Sequence, residues 1–166
     1  MVALVMEHWR GASDRDRLLK VVQPGLIGLI DGTVSTLAPI FASAYLVGSR
    51  AALLVGLAAA LGAAISMGIS EGLSDDGALT GRGDSLTRGA ITGVATFLGG
   101  TVHALPFLIS DVGTALAVAY PIVAAELVTI AWIRRRFLRV PLAHSLAQVT
   151  LAGAMVAAVG VAVGQA

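Results

Sequence analysis

The residues able to do chemistry stand out because the chain around them is apolar. Asp31 is the single carboxylate inside residues 25–42, GLIGLIDGTVSTLAPIFA, a run of membrane-crossing length. An ionised aspartate facing lipid near the bilayer centre costs about 2.5–3.5 kcal/mol on insertion scales, so this one implies a partner, a proton or an ion. One turn on, Ser35 falls on the same helical face, and Pro39 cannot donate to the carbonyl of residue 35. A carboxylate, a hydroxyl and a freed carbonyl are the start of a cation site. The competing reading ties Asp31 to an arginine or to the backbone of a neighbouring helix.

A second set lies downstream. Met67, Ser70, Glu71, Ser74 and Asp75 recur at helical spacing and form a polar stripe on an otherwise Ala/Leu/Gly helix. Carboxylates and carbonyls alone suit Mg²⁺ or Ca²⁺, whereas the thioether of Met67 tilts a shared site towards Fe²⁺ or Mn²⁺. The alternative makes Met67 a packing residue. Asp31, Ser35, Met67, Glu71 and Asp75 are therefore the candidate metal ligands. Arg88, Thr92, Thr96, Gly99 and His103 form a third line, where Pro106 frees the carbonyl of Val102 beside the histidine, and His144 and Gln148 lie one turn apart. Glu126 and His103 are candidate proton carriers. For His103 the alternative is a neutral, hydrogen-bonded histidine inside a bundle.

The elements that must position these groups are membrane helices. The 166 residues are 57% hydrophobic and only 13% charged, and their mean hydropathy is +0.88, which no soluble domain of this size matches. Alternating short strands are absent, which argues against a barrel, and the twenty glycines point to helices in close contact. Zero cysteines exclude disulfides and thiolate metal sites, and a net charge of +1 gives no reason to expect a nucleic-acid partner. Residues 1–20 read as an interfacial segment with Trp9 at headgroup level, and residues 21–166 as one membrane domain. Its spans are expected at about 21–48, 51–73, 88–109, 113–133 and 142–164. Ten of the eleven Lys and Arg residues precede the first span or lie between spans two and three or four and five, with Arg50 alone on the other side. This places the N-terminus in the cytoplasm and the C-terminus outside, in a multi-pass protein of the cell (inner) membrane. Asp31 then lies roughly 15 Å from the cytoplasmic end of its helix and Glu126 about 10–12 Å from its own, so the two can share a layer. GxxxG spacing at Gly28/Gly32, Gly68/Gly72, Gly89/Gly93 and Gly160/Gly164 permits close helix crossings.

These motifs carry a resemblance. EHWRG before the first span, DGTVSTLAPIFA in helix 1, AAISMGISEGLS in helix 2 and the RG…TFLGG…HALPFL pattern in helix 3 are similar to the vacuolar iron transporter family. The resemblance implies a five-helix homodimer that moves ferrous iron or manganese in exchange for protons along a path near the dimer interface. It implies Asp31 as the intramembrane metal ligand, Met67 as its partner and Glu71 as an acidic member of the site. Metal is then cargo, with no resident cofactor and no enzymatic activity expected. The family's cytoplasmic metal-binding domain between helices 2 and 3 is replaced by residues 76–87, DGALTGRGDSLT, leaving Asp75, Asp76, Asp84, Glu7 and His8 to collect metal. In a cell without a vacuole, outward movement would make the chain an exporter of Fe²⁺ and/or Mn²⁺.

Two other functions fit parts of the sequence. Gly68-Ile69-Ser70-Glu71-Gly72 matches the G-x-S-x-G pattern of serine hydrolases with His103 as base, although that motif works on a strand-to-helix turn. A proton-coupled exporter of organic cations around Glu126 or Asp31 would want aromatic rings, of which only Phe41 lies near Asp31 in sequence. The Arg82-Gly83-Asp84 triplet, on the expected cytoplasmic side, is taken as chance.

Overall fold

The computed structural model describes residues 14–166, so Glu7, His8 and Trp9 of the expected interfacial segment lie outside the described residues. Among the described residues five helices follow one another: α1 (Asp14–Leu46), α2 (Ser49–Ser74), α3 (Ser85–Val102), α4 (Val112–Leu138) and α5 (Leu142–Gly164). There is no strand among the described residues. From Asp14, the first described residue, the helix includes a wide turn at Leu18–Val22, in which the Gln23 amide donates to the Leu18 carbonyl. That widening accommodates the ring of Pro24, which would otherwise crowd the carbonyl four residues back.

α1, α2, α4 and α5 are each long and apolar enough to cross a membrane. Their outer faces carry Leu54, Ile65 and Leu73 on α2, Val128 and Trp132 on α4, and Leu151 and Val159 on α5, all exposed. A bundle apolar both inside and out suits hydrocarbon surroundings. The expected third span at 88–109 is divided instead. Its helix of 18 residues rises about 27 Å and stops at Val102, because Pro106 has no N–H for that carbonyl. The chain continues as a tight turn, Leu105–Leu108, that presses Pro106 and Phe107 into the core.

α1 is the centre of the bundle and packs against each of the other four helices. Its far half supplies Leu37, Ile40, Phe41 and Ala44 to a core completed by Ala115, Ala119, Ile130 and Ala131 of α4 and Val149 of α5. Its near half is pressed on α3 through glycine. A Cβ on Gly28 or Gly32 would collide with the carbonyls of Thr92 or Thr96. Gly68 of α2 meets Gly89 of α3 in the same way, and Gly160 and Gly164 of α5 seat against Ala38 and Ala42 of α1. All four GxxxG pairs are thus used between helices of one chain.

Side chains close the ends of α3 and α4. Asp84 accepts from the Thr87 amide and Asp111 from the Thr114 amide, both at 2.7 Å, which satisfies first-turn N–H groups left without helical partners.

Candidate functional site

Asp31 lies on α1 eight residues past Gln23, about 12 Å along the helix. Its neighbours Gly28 and Gly32 are buried against α3, whereas Asp31 is half-buried and Ser35 is exposed. Neither side chain makes a hydrogen bond or ion pair with any described residue. The expected alternative, an arginine or a neighbouring backbone group holding Asp31, is therefore absent among the described residues.

Met67 is half-buried on α2, two and three turns below Ala60 and Gly56 on the inward side of that helix. Gly56 packs on Ile40, and Gly100 is wedged between Ala60 and Thr36, so α1 and α2 run antiparallel in register. That register brings Met67 level with Leu29, within about one turn of Asp31 along the bundle axis.

Glu71 and Asp75 sit elsewhere in the chemistry. Glu71 Oε1 accepts from Arg88 Nε at 2.9 Å and from Arg82 Nη2, while Asp75 Oδ2 accepts from Arg82 Nη1 at 3.0 Å and lies 3.3 Å from Arg88 Nη2. Arg88 is 1% exposed and also donates to the carbonyls of Gly83 and Asp75. Two carboxylates and two guanidiniums thus form a neutral cluster that closes the α2–α3 loop. The loop folds back because Gly77, Gly81 and Gly83 take φ of 78°, 69° and 76°, which L side chains rarely adopt. Partial burial opposes ionisation of Asp75, but hydrogen bonds from Thr80, the Gly77 amide and Arg82 and the charge of Arg88 outweigh it and hold its carboxyl below the usual 3.8. Asp84 is held low by the hydroxyl and amide of Thr87, and Asp76 accepts from the Ala78 amide. The loop carboxylates expected to gather metal each have an internal partner.

Glu126 and His103 meet. His103 Nδ1 lies 2.8 Å from Glu126 Oε2, and His103 Nε2 lies 2.8 Å from the hydroxyl of Thr36, one turn beyond Asp31 on α1. The same hydroxyl is 2.8 Å from the Gly32 carbonyl. His103 is fully buried and the Glu126 side chain 11% exposed. One file of polar atoms therefore joins α1, the end of α3 and α4. Thr36 escaped the sequence reading, which followed the Asp31 face to Ser35; its signal is the run of buried threonines, Thr33, Thr36, Thr92 and Thr96, along the glycine seam.

The remaining candidates are dispersed. His144 is exposed, and Gln148 accepts from Arg134 at 2.8 Å. Ser70 of the G-x-S-x-G stretch is exposed near the end of α2, still within the helix, with no hydrogen bond to His103. Among the described residues, no three His, Asp or Glu side chains converge on a point where one chain could hold a metal ion. Asp31 and Met67 would then supply part of a coordination shell and need ligands from water, backbone or a second copy. Compared with family models, curated proteins and solved structures, the chain matches none.

Proposed function

We propose that this chain is a proton-coupled transporter that carries a divalent transition metal, Fe²⁺ and/or Mn²⁺, out of the cytoplasm. It works as a homodimer of five-span protomers in the cell (inner) membrane, with α3 and the turn after it as the third span and the arginine-rich end in the cytoplasm. The observation that carries the reading is Asp31: a carboxylate within a membrane-length helix, half-buried and free of any partner among the described residues. A group so placed is stabilised by binding a proton or a cation, and the two compete for the same oxygens. A proton arriving from the acidic side releases the metal there, and metal binding from the cytoplasm displaces that proton inward.

Dimerisation enters through ligand count. Asp31 and Ser35 lie off the glycine seam that binds α1 to α3, and Met67 comes within about one turn of Asp31 along the bundle axis. A second copy against that flank would add another carboxylate and thioether. The resemblance in DGTVSTLAPIFA and AAISMGISEGLS supports the same two residues. Glu71 and Asp75, held by Arg82 and Arg88, act in this reading as the closure of the cytoplasmic mouth. The test is metal uptake into everted membrane vesicles. Uptake that vanishes in Asp31→Asn supports the reading, and uptake indifferent to that change sinks it.

One observation favours the organic-cation alternative. Phe41 and Tyr120 have ring centroids 5.1 Å apart, and Tyr120 shares a hydrogen bond of 2.9 Å with Tyr45, so three aromatic side chains gather about 9 Å above Glu126 on α4. In that case a lipophilic cation such as tetraphenylphosphonium, and not Mn²⁺, would be accumulated by the same vesicles, and Glu126→Gln would stop it.

A further inference from the structure

The Thr36 hydroxyl has one proton and two neighbours at hydrogen-bond distance, the Gly32 carbonyl and His103 Nε2, both at 2.8 Å. A carbonyl only accepts, whereas an imidazole nitrogen either donates or accepts. The group therefore has two complete arrangements. In one, Thr36 donates to Gly32, His103 Nε2–H donates to Thr36, and one proton lies between His103 Nδ1 and Glu126. In the other, Thr36 turns and donates to a bare His103 Nε2, and His103 Nδ1–H donates to the Glu126 carboxylate.

The two arrangements differ by one proton and by nothing else in heavy-atom position. The first is neutral as a pair, and the second carries one negative charge. A third arrangement, with the only imidazole proton on Nε2 and an ionised Glu126, would set two lone pairs against each other at 2.8 Å and leave buried polar atoms without a donor. From these constraints we infer that Thr36, His103 and Glu126 form a buried binding site for a single proton, with the Thr36 hydroxyl as the rotor that keeps both charge states satisfied. Among the described residues, no side chain other than Thr36 makes a hydrogen bond or ion pair with this His103–Glu126 pair. Asp31 and Tyr45 on α1, Glu71 on α2, Arg88 on α3, Tyr120 on α4 and His144 on α5 make no hydrogen bond or ion pair with His103 or Glu126.

The route of the proton follows from packing. At Gly28 and Gly32 the seam between α1 and α3 leaves no room for water, because the helix backbones abut the carbonyls of Thr92 and Thr96. Glu126 is the member with residual exposure, so the proton comes and goes through its carboxylate. Proton loss also releases the Gly32 carbonyl from the Thr36 hydroxyl one residue from Asp31, which links the site to α1 where the proposed cargo binds. That link rests on the transporter reading; the proton site does not.

The experiment is a pH titration of side-chain ¹⁵N signals of the three histidines in metal-free protein in lipid nanodiscs, with His103 assigned through His103→Gln, and with the carboxyl stretch of Glu126 followed by infrared. The expected result is one transition shared by His103 and Glu126. At its alkaline end His103 carries its proton on Nδ1, and Nε2 has the shift of a hydrogen-bonded lone pair. Thr36→Ser keeps both the midpoint and that shift. Thr36→Val removes the lone-pair hydrogen bond and lowers proton affinity about tenfold, since the bond lost from a charged imidazole is stronger than the one lost from a neutral ring. A His103 that keeps one tautomer and one charge from pH 5 to 9, or a Thr36→Val protein that titrates like the parent, overturns the inference. A confirmed transition in a protein that moves no metal would retain the proton site and remove the transporter reading.

Discussion

Arg88, buried to 1% exposure, donates through Nε to Glu71 Oε1 across 2.9 Å, while its other nitrogens reach the Gly83 carbonyl and the carboxylate and carbonyl of Asp75. One side chain thereby ties the end of α2, the loop and the start of α3. Breaking a buried pair by removing one partner costs about 3–5 kcal/mol, whereas replacing both by apolar groups is often neutral. Glu71→Leu is expected to lower the thermal unfolding midpoint sharply, and Glu71→Leu with Arg88→Met to recover only part of it, because the Gly83 and Asp75 carbonyls then lose their donor. Thermal unfolding in detergent checks both.

The glycine seam gives a second expectation. A Cβ at residue 32 would strike the Thr96 carbonyl, which belongs to a helix backbone and cannot swing aside. Gly32→Ala should destabilise the protein by about 1–3 kcal/mol, as overpacking does, while Ser35→Ala three residues on, at an exposed position, should leave stability unchanged. Limited proteolysis at rising temperature distinguishes them.

The loop has a pH signature. Asp75 and Asp84 have folded pKa values below 3.8, so the order they give the loop is complete above that value and lost as pH falls through their depressed folded values. Hydrogen exchange of the Gly77 and Thr87 amides, which donate to these carboxylates, should stay slow at pH 5 and accelerate only below about pH 3.8. Loss of protection near pH 5 would contradict this.

Met67 tests the choice of cargo. Met67→Leu keeps the volume and removes the thioether. If sulfur is a ligand, apparent affinity for Fe²⁺ or Mn²⁺ should weaken by about tenfold, equivalent to ~1.4 kcal/mol. Unchanged affinity would return Met67 to packing.

Much of the architecture can be read from residue types. The apolar runs and loop charges locate α2, α4 and α5 and the end of α1 to within a few residues, and Asp31 stands out because nothing near it in sequence is charged. What sequence could not supply is pairing across turns. Glu71 reads as a candidate ligand, and its pairing with Arg82 and Arg88 becomes visible only once three glycines at positive φ turn the loop. His103 and Glu126 are visible separately, but their contact depends on α3 ending at Val102 and the Pro106 turn setting α4 beside it. Thr36 looks like one more small residue of a helix, and only the register of α1 against α3 gives it two partners.

The most direct measurement is metal flux into proteoliposomes under an imposed pH gradient, read by a metal-sensitive dye and a pH dye inside, with wild type beside Asp31→Asn. The transporter account predicts Fe²⁺ or Mn²⁺ movement that scales with the gradient, a proton signal of opposite direction, and loss of both in the variant. Metal movement that ignores the gradient, or that persists in Asp31→Asn, would contradict it.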